Sequence, residues 1–196
     1  MAETTTTLKP KNMLVDNATL YVGTFDTTDL DTFITSLTAD KKLGLGKDSI
    51  KFSATPNITE YDFAGKKDAK VADMQSIENW EVSVEGDCLD FNENCITVCG
   101  LEKEVLETGS STTYNKYVPV IGDMEDNMKD FVVVGKVKGS TNVVAILVKN
   151  CFNTDGISLE FADKDNNAFK LTLQAHYKID ALTTPPFEII APTVTA

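Results

Sequence analysis

Residues 169–179 read Phe169-Lys170-Leu171-Thr172-Leu173-Gln174-Ala175-His176-Tyr177-Lys178-Ile179, an almost unbroken period-two alternation. Successive side chains of a strand point to opposite faces. Phe169, Leu171, Leu173, Ala175, Tyr177 and Ile179 therefore share one face, and Lys170, Thr172, Gln174, His176 and Lys178 share the other. The pattern predicts one long strand, dry on one side and wet on the other. Eleven residues at about 3.3 Å each span roughly 36 Å, beyond the usual five or six residues. Such a strand suits a barrel or a large shared sheet better than a compact catalytic site.

Working outward, the other strong signals are also β. Phe131 to Lys138 and Val143 to Phe152 are β-rich and meet at a turn, Gly139-Ser140-Thr141-Asn142. The unbroken apolar run Val143 to Val148 predicts a strand buried on both faces. Ala18 to Phe25 reads as a first strand with Leu20 and Val22 on one side. Asp48 to Thr55 alternates with Ile50, Phe52 and Ala54 on one face, and Pro56 is expected to interrupt it. Ile58 to Phe63 is extended again, and Ala64 to Asp68 reads as the tip of a long loop or hairpin. Ile77 to Gly86 sets Trp80, Val82 and Val84 opposite Glu81, Ser83 and Glu85, with Trp80 expected in the core. Ile157, Leu159 and Phe161 predict a further strand, turned by Asp163 to Asn167 into the last one. Pro185-Pro186-Phe187 is expected to end the sheet.

One helix stands out, from about Phe91 to Cys99. Asp90 and Glu93 form an N-terminal capping pattern, Phe91, Cys95, Val98 and Cys99 share one helical face, and Gly100 supplies the stop. So short a helix must lie against a sheet to persist in water. Thr27 to Lys42 stays ambiguous: Asp29 is placed to cap a short helix carrying Phe33 and Leu37, but the threonines oppose it. Residues 102–130 are polar and read as a long irregular connection. The sum is a mainly β protein, a β-sandwich or half-open barrel with one packed α-helix. It comprises a single domain over 14–184 with a long loop at about 56–76. A flexible arm (1–13) and an extended C-terminal tail (185–196) flank it, neither able to form a core alone.

Composition narrows the function. The chain has 196 residues, a formal net charge of −12, and 18 basic residues that are all lysine. Specific nucleic-acid reading leans on bidentate arginine and a basic patch, and with no arginine and a net charge of −12 it is disfavoured. Attraction to anionic membrane is disfavoured for the same reason, and no apolar run approaches the ~20 residues of a bilayer span. The high negative charge serves solubility, or keeps a surface from sticking to a polyanion. Cys88, Cys95, Cys99 and Cys151 form no CxxC pair, and the polar opening does not read as a leader, so reduced thiols in a cytosol are expected.

Candidate chemistry is thin. His176 is the only histidine and has no nucleophile context around it. Cys95 and Cys99 lie one helical turn apart and, with Cys88 or His176, present zinc-ligand types, yet that face must also pack. Asp163, Asp165 and Asn167 open an EF-hand-like loop, but Ala168 and Gln174 stand where glycine and glutamate are required. Asp123, Glu125, Asp126 and Asp130 form an acidic run suited to a solvated loop or weak cation binding. The expectation is no enzyme, no cofactor and no metal.

The order of elements carries a resemblance. Leu43-Gly44-Leu45-Gly46-Lys47-Asp48-Ser49-Ile50-Lys51-Phe52-Ser53-Ala54-Thr55-Pro56 resembles the first core strand of phage major tail tube proteins. Ile58 to Gly65 and the lysine-rich tip look like that family's long loop, and Trp80-Glu81-Val82-Ser83-Val84 like its returning strand. The helix at Asp90 to Cys99 looks like the family's single packed helix. Val148-Lys149-Asn150-Cys151-Phe152-Asn153 and the strand at Phe169 are similar to its C-terminal half, closed by Pro185-Pro186-Phe187-Glu188-Ile189. The likeness is one of pattern over most of residues 14–190, and 101–130 is longer and more acidic than the pattern needs.

The resemblance implies a virion structural protein, made in the host bacterial cytoplasm and assembled into the tail. Six subunits would complete one inner β-barrel, and hexameric rings would stack into a hollow conduit for phage DNA. Implied neighbours are the tape measure, tail terminator and distal tail proteins, with only transient, non-specific passage of DNA. The candidate lumen face is Glu81, Ser83, Glu85, Lys170, Thr172, Gln174, His176 and Lys178. Lys66, Lys67 and Lys70 are expected to touch acidic surface on a neighbouring ring. Length and the long loop tilt the reading toward a flexible, non-contractile tail over a contractile tail, tailocin or type VI secretion tube. The competing reading is a β-sandwich binding module of carbohydrate or adhesin type, which needs exposed aromatics on one face.

Overall fold

A computed structural model describes residues 14–62, 70–88, 92–105, 114–138, 142–159 and 169–193. Its strands are β1 (Leu14–Gly23), β2 (Lys42–Glu60), β3 (Gln75–Cys88), β4 (Leu101–Lys103), β5 (Tyr117–Pro119), β6 (Lys129–Val137), β7 (Val143–Asn153), β8 (Phe169–Ala175) and β9 (Phe187–Ile190). Three short α-helices are interspersed among the described residues, α1 (Leu30–Thr35), α2 (Glu93–Thr97) and α3 (Met124–Asn127). None of the described helices is long and apolar enough to cross a membrane.

All pairings are antiparallel, and they close on themselves: β1 to β2, β2 to β3, β3 to β8, β8 to β7, β7 to β6 and β6 back to β1. Two of these joints are short. β1 meets β2 only at Thr19, Leu20 and Tyr21, and β7 meets β8 only at Cys151, Phe152 and Asn153. The barrel is thus two sheets hinged at two corners, an inner one of β2, β3 and β8 and an outer one of β1, β6, β7 and β9.

The core fills the space between them. Leu20, Val22 and Phe131 of the outer sheet meet Val82, Val84, Leu171 and Leu173 of the inner one, all buried. Each such side chain contributes about 1.5–3 kcal/mol by leaving water. The outer sheet is dry on both sides. Val132, Ala145 and Leu147 turn outward into a second cluster with Phe25 and Phe33, covered by α1. The apolar run Val143 to Val148 is buried on both faces for this reason.

Helix α2 is shorter than expected and starts differently. Asn92 is its N-cap, its side chain accepting from the Cys95 N–H, whereas Asp90 and Phe91 lie outside the described residues. Asn92 also donates to Leu43 O at 2.9 Å and Asn94 to Asp40 O at 2.9 Å, stapling the helix to the start of β2. Cys95, Val98 and Cys99 point into the core as one face. Gly100 ends it at φ 75°, a left-handed conformation that favours glycine. The ambiguous stretch resolves toward the Asp29 cap, whose carboxylate accepts from Asp31 and Thr32.

Several expectations are corrected. β2 does not stop at Pro56 but runs to Glu60, with Pro56 opposite Trp80. Proline is tolerated where its missing N–H faces an open edge. Trp80 is half-buried rather than wholly in the core. The last long strand ends at Ala175. The His176 N–H turns to Asn150 O, which draws the chain toward β7, so Tyr177 is only half-buried and Ile179 is 92% exposed.

No strand forms at Ile157 and Leu159, because the chain turns after Asn153 and Gly156 sits at φ 67°. Residues 102–130 are not wholly irregular: they finish the β4–β5 hairpin and include α3. The C-terminal tail is in part a strand. Phe187–Ile190 pairs with β7, and the Phe187 ring packs 5.6 Å from both Phe52 and Trp80.

Candidate assembly surface

Register brings the polar residues of the inner sheet together. Lys51 lies opposite Glu85, which lies opposite Thr172; Ser53 lies opposite Ser83 and then Gln174; Thr55 lies opposite Glu81. Asp87 and Lys170 continue the row at the far end. All of these project away from the core, because their neighbours Val82, Val84, Leu171 and Leu173 project into it. Glu81, Ser83, Glu85, Lys170, Thr172 and Gln174 therefore share one face, as the alternation implied. His176 and Lys178 do not belong to it. Both follow the end of β8; Lys178 is exposed, and His176 is half-buried with Nδ1 lacking a hydrogen-bond partner among the described residues.

The charge on this face is mixed. Lys51 and Lys170 oppose Glu81, Glu85 and Asp87, with Lys51 and Glu85 3.8 Å apart. Asp155 joins them, 3.7 Å from Lys170 and accepting from the Thr172 hydroxyl at 2.6 Å; two lysines against four carboxylates leave a net of −2, so the bulk of the chain's −12 lies elsewhere. The wall is hydroxyl- and amide-rich and weakly acidic, with no arginine and no excess of lysine to neutralise a phosphate backbone.

Beyond the barrel, β2 and β3 continue as a two-stranded ribbon. From Ile50 to Glu60, β2 pairs with β3 on one side and with no described strand on the other; from Val82 to Gln75, β3 likewise has only β2. The ribbon keeps two faces. Asn57 and Asn79 meet across the polar one, Nδ2 to Oδ1 at 2.6 Å. On the other face, past Trp80, the paired Ile58 and Ile77 are 57% and 55% exposed. A row of free strand edges over an uncovered apolar pair is what a solitary soluble chain avoids.

At the ribbon's end, Lys70 is exposed, and Lys66 and Lys67 lie outside the described residues. Glu60, Asp62, Asp73 and Glu78 are also on the surface there, so the described ribbon end is acidic. The N-terminal arm and Asp163, Asp165 and Asn167 are likewise outside the described residues.

Cys95, Cys99 and Cys151 are buried; burial pushes the thiols of Cys99 and Cys151 up, and for Cys151 the nearby Asp130 adds to it. No grouping of three metal-ligating side chains occurs among the described residues. Asp130 accepts from the Asn150 N–H at 2.9 Å, whereas Asp123, Glu125 and Asp126 are exposed at α3.

Sequence reasoning missed Asn153. It is fully buried, accepts from the Thr172 N–H at 3.0 Å and donates to Gly156 O at 2.6 Å and to Cys99 Sγ at 3.2 Å. It ties β8 to β7 at the second corner. An Asn closing a mostly apolar strand was the only signal. No protein-family model matches the chain, and no curated protein is significantly similar to it.

Proposed function

We propose that the protein is a tail tube subunit, assembling into stacked hexameric rings that form a conduit for phage DNA. One observation carries the reading: a polar sheet face lies on a β-ribbon whose two outer edges pair with no described strand. Edge-to-edge pairing of one copy's β2 with the next copy's β3 covers both edges and is heterologous, so repetition gives a ring where the rotation between copies closes. The shared sheet then presents its hydroxyl- and amide-rich face inward, around water, while Val82, Val84, Leu171 and Leu173 stay packed on the outer sheet. A weakly acidic wall lets a polyanion slide without binding.

The competing binding-module reading draws on the groove beside β3, where Trp80 and Tyr177 sit among Asn57, Asn79 and Gln174. Against it, the Trp80 ring is half-buried on Phe187 and does not lie open as a platform. Sedimentation of the purified chain over a wide concentration range, with negative-stain microscopy, separates the two. Rings or tubes support the assembly reading. A monomer at every concentration that binds oligosaccharide favours the module.

A further inference from the structure

At one position both edges of the ribbon are masked within the same cross-strand pair. Pro56 lies opposite Trp80, and the Trp80 N–H points away from β2 because it donates to the Tyr177 hydroxyl at 2.8 Å. In an antiparallel ladder, partners in such a pair both direct their backbone groups outward. On the β2 side the outward position is proline, which has no hydrogen to donate. On the β3 side the outward hydrogen is held by Tyr177.

The register explains how Tyr177 reaches it. Ser83 pairs with Gln174, so continuing three residues along each strand sets Tyr177 opposite Trp80. The β8 backbone has already left, ending at Ala175, but the phenol returns to the place that a paired strand would occupy. It forms one wall of a groove of about 470 Å³ along the open β3 edge, with Asn79, Trp80, Glu81, Gln174 and Leu182.

We propose that Tyr177 is an edge guard: in the free subunit its hydroxyl occupies the β3 edge and must leave before a strand of a second copy can dock there. This rests on the assembly reading above. A side-chain hydroxyl blocks as one hydrogen bond and releases as one, so it slows edge pairing without forbidding it. Tyr177 is thus a residue that sets when the ribbon becomes available, not one that holds the ring together.

The test is Tyr177→Phe in the full chain, with folding checked by circular dichroism. Two quantities are read: amide exchange of Trp80 in the dilute monomer, and the protein concentration at which rings first appear by light scattering and negative-stain microscopy. The expected result is at least tenfold faster exchange at Trp80 and a ring threshold at least threefold lower than that of the unmodified chain. Rings from both proteins at one threshold, whether or not the Trp80 amide has opened, overturn the guard and leave the assembly reading standing. Rings from neither protein up to the solubility limit overturn the assembly reading and the guard with it.

Discussion

Replacing Asn153 with alanine should open the corner where the inner sheet joins the outer one. The substitution removes the acceptor of the Thr172 N–H at 3.0 Å and the donor to Gly156 O at 2.6 Å. Each intramolecular hydrogen bond contributes about 0.5–1.5 kcal/mol net, and a buried group left without a partner costs about 1–3 kcal/mol. The expected loss is about 3 kcal/mol, which for a chain of this size lowers Tm by about 6–12 °C. Asn153→Asp is the sharper variant. It keeps the acceptor for Thr172 but turns a carboxylate oxygen toward Gly156 O and Cys99 Sγ, where a donor is needed.

Burial without a cation raises the folded pKa of that new carboxyl above its unfolded value. Its ionisation penalty is therefore present at neutral pH and relieved as pH falls through the folded pKa. Thermal melts at pH 7 and pH 5 should show the aspartate variant below the alanine variant at the higher pH and gaining on it at the lower. An alanine variant melting within about 1 °C of the parent would refute the idea that this buried amide holds the corner.

Four further outcomes are expected. Phe187→Ala removes a half-buried ring from between Phe52 and Trp80; it should cost about 2 kcal/mol, less than a fully buried phenylalanine, with amide protection lost first along β9 and retained through β3. Glu188 is held below its usual 4.5 by the Lys149 ammonium and the Thr27 hydroxyl. That stability is present above pH 4.5 and fades as pH falls through the lower folded value; being half-exposed it amounts to under about 1 kcal/mol, and Glu188→Gln should flatten the acid limb of a stability profile. Cys95, Cys99 and Cys151 should resist iodoacetamide in the native protein at pH 8 and react in urea, as site-resolved mass spectrometry would record. Glu81→Lys with Glu85→Lys should leave monomer stability within about 0.5 kcal/mol; under the proposed assembly the variant's tubes should retain DNA in a gel-shift assay, the logarithm of affinity falling linearly against the logarithm of salt.

The sequence by itself determined the β class, the two dry faces of the Val143 strand, and the polar face from Glu81 to Gln174. All three follow from side-chain period, a local property that backbone geometry imposes whatever the rest of the chain does. The packed helix was legible for the same reason, through Cys95, Val98 and Cys99, although its cap moved to Asn92 because capping depends on which carbonyls lie within reach. What only the tertiary structure decided depended on neighbours.

The last strand ends at Ala175, not Ile179, because Asn150 of β7 captures the His176 N–H. Pro56 stays in a strand because its N faces an edge that no described strand fills. Phe187 and Glu188 leave the expected tail because an aromatic pair and a lysine await them across the sheet. Asn153 looked like any polar residue until the fold enclosed it at the corner between two sheets. Period is written in a chain one residue at a time, whereas strand ends, edges and buried polar contacts are fixed only when segments distant in sequence compete for the same hydrogen bonds.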